Sequence, residues 1–159
     1  MAEPQRFFFY GTLMARSEHP LARRLHGLLR SLGPACLPGR LVALPDRKGW
    51  YPALTLGEGR VAGEVYVPRR GWLAPHELAA LDCYEGCLRR ERLRSDYWRA
   101  TLGARIAGRA GPQGADLRPR LAVQAYVWSG VLPRAAVPIE DGDFAAWLAR
   151  TGHCAYAGG

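Results

Sequence analysis

The apolar residues of this chain fall mostly in short segments of strand-like composition that end at glycine or proline. Phe7-Phe8-Phe9-Tyr10 is an aromatic run that ends at Gly11, and the segment from Val61 to Val67 is followed by Pro68. Such runs predict buried strands, because they are too short for helices and are bounded by residues that interrupt regular structure. We predict further strands at residues 40–44, 51–55, 97–106 and 122–128, the second of them an edge or irregular strand because of Pro52.

Three segments have helical spacing instead. Leucines at 21, 25, 28 and 29 give one apolar face to a helix over residues 20–29, which Gly33-Pro34 stops. A second helix spans Pro75 to Glu85 and ends at Gly86, and a third spans Phe144 to Arg150 behind a cap at Asp141 or Asp143. Many short strands with few helices predict an α+β domain whose sheet curls into a barrel.

Length and composition limit the class of protein. The 159 residues are enough for one domain, over residues 1–159, with a core of its own. The Gly/Pro/Arg-rich stretch 108–120 is predicted to be a mobile loop. The sequence shows neither the apolar run of a signal peptide nor a membrane span, so we expect a cytoplasmic protein with no membrane partner. In that reducing compartment, four irregularly spaced cysteines are expected to remain thiols.

The formal charge of +8 raises the question of nucleic acid as a partner. The basic residues are spread through the chain, and the densest patch, Arg89 to Arg94, is interrupted by Glu91 and lacks aromatic residues that stack on bases. We therefore expect a solvated basic surface and no nucleic-acid partner. The alternative, a basic RNA-associated protein, predicts binding that weakens steeply with salt.

Glu85 is the first candidate for chemistry. It lies in the last turn of the second predicted helix, where the helix dipole disfavours an anion by about 0.3–1 kcal/mol and so raises the carboxyl pKa by a fraction of a unit. Asp82, three residues earlier on the same face, acts in the same direction. A carboxyl with a raised pKa is a better proton acceptor and donor near neutral pH. The alternative is a solvated glutamate at a helix end.

The turn Tyr10-Gly11-Thr12-Leu13 is the second candidate. A glycine directly after a strand lets the backbone turn sharply and brings successive N–H groups toward one point. Such a concavity binds a carboxylate or a developing oxyanion. The alternative is a tight turn with no ligand.

Taken together and in order, these segments resemble the γ-glutamylcyclotransferase-like family over most of the chain. The matching motifs are Y-G-T-L at Tyr10 to Leu13, Y-P-A at Tyr51 to Ala53, G-E-x-Y at Gly63 to Tyr66, L-D-x-x-E-G at Leu81 to Gly86, Y-x-R at Tyr97 to Arg99, and the aromatic strand Ala125 to Trp128. The resemblance implies a small mixed β-barrel with flanking helices. The T-L pair after Y-G resembles the γ-glutamylamine branch more than relatives with S-N, which act on γ-glutamyl amino acids.

The resemblance also implies an activity. It implies cyclisation of a small-molecule γ-glutamyl substrate to 5-oxoproline, with release of an amine or amino acid and without a metal or other cofactor. Carried over by position, Glu85 is the general base, and the substrate-binding residues are Tyr10, Gly11, Thr12, Leu13 and Tyr126. The alternative is a non-catalytic binding domain of the same fold. If Arg89 to Arg94 border the pocket, the leaving portion of the substrate is expected to be acidic. The sequence gives no prediction of the oligomeric state.

Other polar residues make weaker candidates. Cys83 and Cys87 could bind a metal with His76, but they lack the paired C-x-x-C spacing of zinc sites, so no metal site is predicted. A cysteine nucleophile would need a histidine partner, and the sequence indicates no such pair. Glu64, inside a predicted strand, is either a second pocket carboxylate or a surface residue.

Overall fold

The computed structural model describes residues 3–11, 20–85, 96–107 and 119–156. Several predictions therefore fall wholly or largely outside the described residues. They concern the roles of Thr12 and Leu13, the helix stop at Gly86, the metal candidate Cys87, the basic segment Arg89 to Arg94, and the mobile loop at 108–120, of which only the last two positions are described.

The sheet closes on itself as a five-stranded barrel. Its strands are β1 (Phe7–Phe9), β2 (Leu29–Asp46), β3 (Gly49–Pro68), β4 (Tyr97–Ile106) and β5 (Leu121–Trp128). Pairing runs from β3 through β1, β5 and β4 to β2, which pairs with β3 again. The β1–β5 pair is parallel and the others are antiparallel, so the barrel is mixed. A short strand, β6 (Val137–Ile139), adds to β2 outside this ring.

Helices flank the barrel. They are α1 (Pro20–Leu28), α2 (Pro75–Tyr84) and α3 (Phe144–Thr151). The prediction of an α+β fold with a small mixed barrel and flanking helices is confirmed. None of these described helices is long and apolar enough to span a membrane.

The long β2–β3 hairpin differs most from the predicted strands. α1 ends at Leu28 and β2 begins at the next residue, so the prediction that Gly33-Pro34 stops the helix is wrong. The predicted strands at 51–55 and 61–67 are parts of one strand, β3. Their pairing shifts between Pro38↔Arg60 and Arg40↔Thr55, which leaves residues 56–59 as a bulge. A bulge uses the same glycine-rich composition as a turn, so the sequence predicted a break there.

Two buried clusters organise the core. One fills the barrel with side chains from its strands, such as Phe8 and Val65, and α3 adds Phe144 and Trp147 to it. The other lies between the sheet and helices α1 and α2, and includes Phe7, Phe9, Leu25, Tyr66, Leu81, Tyr97 and Tyr126. Because side chains alternate along a strand, β1 contributes to both clusters. The site described below takes Leu81, Tyr97 and Tyr126 from the second cluster and Tyr10 from the first.

Candidate active site

The C-terminal end of α2 carries the two acidic residues of the predicted motif. Leu81, which is fully buried, anchors this end of the helix against the second core cluster. Asp82 is also buried, and Glu85 forms the C-terminal cap, with its backbone N–H donating to the Leu81 carbonyl at 3.1 Å. Their separation of three residues places both carboxyl groups on one side of the helix.

Burial raises the pKa of the Glu85 carboxyl from 4.5 to about 8, and the negative charge of Asp82 adds to the effect. The sequence predicted the direction of this change and the contribution of Asp82. The predicted size, a fraction of a unit, is too small, because desolvation of a carboxylate outweighs a helix dipole. Glu85 is therefore not the solvated glutamate of the alternative interpretation.

Three tyrosine hydroxyl groups share this environment. Burial is the main cause of the raised pKa values of Tyr10, Tyr97 and Tyr126, and the charge of Glu85 raises all three further. The Tyr10 hydroxyl donates to the carbonyl of Tyr126, and the Tyr97 hydroxyl donates to the carbonyl of Pro52 at 2.8 Å. All three hydroxyl groups are therefore neutral donors near neutral pH and remain close to one carboxyl group.

Asp82 has one positively charged partner, Arg99, and one neutral hydrogen-bond donor, Tyr126. Its Oδ1 lies 3.0 Å from Nε of Arg99 and accepts a 2.6 Å hydrogen bond from the Tyr126 hydroxyl. Its Oδ2 lies 3.3 Å from Nη2 of Arg99, and the other terminal nitrogen of Arg99, Nη1, donates to Gln124. The pair is largely buried, so its charges are compensated locally, as buried charges must be.

Gly11 brings the end of β1 against the Y-P-A segment of β3. A Cβ atom at this position would lie 2.6 Å from Cγ of Pro52, so the close approach requires glycine. Of the predicted binding loop, the structure thus places Tyr10 and Gly11 beside the segment that accepts the Tyr97 hydrogen bond. It brings together Tyr10, Tyr126 and Glu85, three of the predicted site residues.

The weaker candidates of the sequence lie elsewhere or lack partners among the described residues. The Glu64 carboxylate is half-buried and accepts hydrogen bonds from Ser31 and, at 2.9 Å, from Tyr66, so it is not a freely solvated surface residue. Cys36, Cys83 and Cys154 are free thiols. Within the described ranges, no group of three or more metal-ligand side chains occurs. Cys87, part of the weighed metal set, lies outside them.

A family model described as gamma-glutamyl cyclotransferase, AIG2-like, matches residues 7–146. The chain belongs to this family. The resemblance inferred from the motifs is thereby confirmed. No curated protein sequence matches the chain.

Solved structures with the same fold come from distant organisms. An uncharacterized protein from Pyrococcus horikoshii is 20% identical, with a TM-score of 0.56, and the match covers 93% of this chain and 96% of that one. An AIG2-like protein from Mus musculus is 19% identical, with a TM-score of 0.56 and coverage of 84% and 83%. YkqA from Bacillus subtilis is 16% identical, with a TM-score of 0.60, and 94% of this chain matches 43% of it. At these identities the similarity shows the fold alone.

Two residues of this γ-glutamyl cyclotransferase family member gain a role that the sequence did not assign. Tyr97 and Arg99 appeared only as a Y-x-R motif, and the structure places one beside Glu85 and pairs the other with Asp82. An arginine within a buried strand needs a carboxylate partner. That requirement is the sequence signal that could have linked Arg99 to the L-D-x-x-E-G motif.

Proposed function

We propose that this protein is a γ-glutamyl cyclotransferase that converts a γ-glutamyl amide to 5-oxoproline and releases an amine or amino acid. The observation that carries the proposal is the Glu85 carboxyl, with a pKa raised to about 8 beside the hydroxyl groups of Tyr10, Tyr97 and Tyr126. A general base is most effective when its pKa lies near the working pH. Membership in the family supports the same reaction class.

The reaction is internal to the substrate. The α-nitrogen of the γ-glutamyl group attacks its own γ-carbonyl carbon, a new C–N bond closes the five-membered ring, and the original amide C–N bond breaks. The two protons that the α-ammonium group loses end on the leaving nitrogen, so the reaction consumes no acid, base or other reactant. Holding the folded-back conformer accounts for on the order of 7–11 kcal/mol in well-oriented systems.

Glu85 carries the proton between the two nitrogen atoms. In the free protein near pH 7, most Glu85 carboxyl groups hold a proton, because the pKa is about 8. The α-ammonium group of a bound substrate lowers that pKa, because an opposite charge favours the carboxylate. Substrate binding thus favours the ionised form of Glu85, which can accept a proton from the ammonium group as the new C–N bond forms and pass it to the leaving nitrogen.

Asp82 is a positioning residue in this scheme. Its charge helps to keep the proton affinity of Glu85 high, and its own position is fixed by Arg99 and Tyr126. The three tyrosine hydroxyl groups donate their protons to the Tyr126 carbonyl, the Pro52 carbonyl and Asp82, so in this scheme they hold the site in shape around Glu85. The Y-G-T-L motif supports a γ-glutamylamine as the preferred substrate. The proposed reaction needs no cofactor.

The test is direct measurement of 5-oxoproline by mass spectrometry after incubation with a γ-glutamylamine, a γ-glutamyl dipeptide or glutathione. We expect turnover by the wild-type protein and a loss of about 10²–10⁴-fold in Glu85→Gln. Glu140→Gln, at an exposed glutamate after β6, is the matched control and is expected to keep full activity. Equal turnover by Glu85→Gln and the wild type would refute the role of Glu85. Tight binding without 5-oxoproline would favour the non-catalytic alternative.

A further inference from the structure

The first half of β3, residues 49–55, pairs with β2 on one side only. β1 pairs with β3 further along, at residues 64–66, so no strand among the described elements covers the other edge of residues 49–55. Backbone groups of alternate residues on a strand point to the same edge, and an unpaired edge leaves them free to bind neighbouring groups. Whatever lies along this edge of β3 therefore contacts the backbone of every second residue.

The C-terminal segment, residues 152–156, takes the first position on this edge. Gly152 ends α3 in the left-handed conformation, with φ of 73°, and the chain then forms a single parallel bridge to β3. The backbone N–H of Trp50 donates to the Cys154 carbonyl at 2.9 Å, and the N–H of Tyr156 donates to the Trp50 carbonyl at 2.7 Å. The segment thus binds both backbone groups of Trp50.

The next two positions on the same edge hold hydroxyl groups of the candidate active site. The Pro52 carbonyl accepts the hydrogen bond of the Tyr97 hydroxyl at 2.8 Å. The Leu54 N–H donates to the Tyr10 hydroxyl oxygen at 3.4 Å. Because Trp50, Pro52 and Leu54 are alternate residues, their backbone groups face one side of the strand. The C-terminal segment and two tyrosines of the site therefore lie next to one another along one short stretch of β3.

Two aromatic contacts hold the segment on opposite faces of β3. On one face, the His153 ring lies 4.8 Å from the Trp50 ring and 5.2 Å from the Trp147 ring. On the other, the rings of Tyr156 and Tyr51 are 6.0 Å apart in an edge-to-face arrangement. Successive side chains of a strand point to opposite faces, so the segment is fixed from both sides.

The β2–β3 turn contacts the segment through its backbone. Gly49, at φ of 126°, lies so near that a Cβ atom there would be 2.5 Å from the Ala155 carbonyl oxygen. Gly71, at φ of 91°, has open space at the same position. An alanine is strained at either glycine because φ is positive. Only the alanine at Gly49 would also push the segment away, so the two sites together separate backbone strain from loss of the contact.

We propose that the C-terminal segment is a positioning element of the candidate active site. By holding Trp50, it fixes the neighbouring backbone groups of the β3 edge, and these in turn order two tyrosine hydroxyl groups beside the general base. The inference rests on the proposed function. The segment lies beyond residues 7–146, the part of the chain that matches the family, so the family match does not include this support.

The first test removes the segment and follows turnover of a γ-glutamylamine. A chain that ends at Gly152 and the variant Gly49→Ala are compared with the wild type and with the control Gly71→Ala. Each is assayed at a temperature at which thermal unfolding shows it to be fully folded. We expect kcat to fall about 10–100-fold in the first two, because a small misplacement of groups around the reacting atoms is costly, and to be unchanged in Gly71→Ala.

The pH profile separates positioning from a general loss of stability. Loosened tyrosines admit water to Glu85, which reduces its desolvation and lowers its pKa. In the shortened chain, the ascending limb of kcat/KM should therefore move below its wild-type position near pH 8. Tyr156→Ala, which keeps the backbone of the segment, should give smaller changes in the same direction, and Tyr156→Phe should behave as the wild type. An unchanged kcat or an unchanged limb in the shortened chain would overturn the proposal.

A second test needs no turnover. Urea unfolding is measured for Tyr97→Phe, for the chain that ends at Gly152 and for the two changes combined. If the segment acts through the β3 edge, the combined loss of stability should be smaller than the sum of the single losses. Tyr126→Phe, whose hydrogen bond goes to Asp82, is the control and should be additive. Additive losses with Tyr97→Phe would overturn the proposal, whereas the proposed function fails only if the wild type releases no 5-oxoproline.

Discussion

Replacing Glu85 by glutamine should stabilise the protein, and by an amount that grows with pH. The folded protein holds the Glu85 proton up to a pKa of about 8, whereas the unfolded chain releases it near 4.5. Below pH 4.5 the Glu85 carboxyl is protonated in both states and does not change the free energy of unfolding. As the pH rises from 4.5 toward 8, Glu85 ionises in the unfolded chain but stays protonated in the folded protein. Ionisation therefore stabilises the unfolded state alone, and the free energy of unfolding falls.

The magnitude follows from that pKa difference. At about 1.36 kcal/mol per unit, the cost of keeping Glu85 in its site is about 3 kcal/mol at pH 7 and approaches about 5 kcal/mol above pH 8. Glutamine has nearly the same shape and does not titrate, so Glu85→Gln should remove this cost. For a chain of this size, about 3 kcal/mol corresponds to a rise in Tm of about 6–12 °C.

The assay is urea and thermal unfolding of the wild type, Glu85→Gln and the control Glu140→Gln at pH 5, 6, 7 and 8. We expect the stability difference between Glu85→Gln and the wild type to widen steadily across this range, and Glu140→Gln to follow the wild type. A difference that is the same at pH 5 and pH 8 would refute the reasoning, because it would mean that Glu85 titrates in the folded protein as it does in the unfolded chain.

The remaining predictions concern the pH profile and two contacts. The ascending limb of kcat/KM should lie near pH 8, and that of kcat at lower pH, because the substrate ammonium lowers the pKa of Glu85 in the complex; coincident limbs near pH 4.5 would contradict this. Tyr126→Phe removes the 2.6 Å hydrogen bond to Asp82 and should cost about 1.5–3 kcal/mol of unfolding free energy in urea, and an unchanged midpoint would argue against it. Gly11→Ala should cost about 1–3 kcal/mol through its clash with Pro52. A second change, Pro52→Ala, should recover part of that cost, whereas additive losses would show that the clash is not the cause.

The elements that the sequence predicted well are those whose patterns are local. The strands at 97–106 and near 122–128 and the third helix, capped by Asp143 through a 3.0 Å bond to the Ala146 N–H, occur as predicted. The long hairpin was missed because β3 continues through residues 56–59, which have no partner in β2, so a local interruption of the pattern does not end the strand. The three-residue strand β6 is too short to give a pattern of its own.

The candidate site also divides into features that a local pattern predicts and features that depend on the folded structure. The motifs predicted that Tyr10 and Glu85 share one site although they lie far apart in the chain, and in the structure the charge of Glu85 contributes to the raised pKa of Tyr10. The size of the Glu85 pKa change could not be predicted, because it depends on how much protein covers the carboxyl group. The docking of the C-terminal segment on β3 was also missed, since Tyr51 and Tyr156 lie about a hundred positions apart and share no motif.

The two carboxyl groups of α2 illustrate why sequence spacing alone cannot assign their roles. Asp82 and Glu85 lie three residues apart on one helix, yet Arg99 and Tyr126 hold Asp82, while both causes acting on Glu85 raise its pKa. A carboxyl with compensating partners stays ionised and exchanges protons little. A carboxyl that is desolvated beside a second negative charge destabilises the folded protein and readily accepts a proton. A variant that loses activity and gains stability would therefore separate a chemical role from a structural one. Glu85→Gln is expected to show both effects, while loss of the Asp82 partners is expected to reduce stability and activity together.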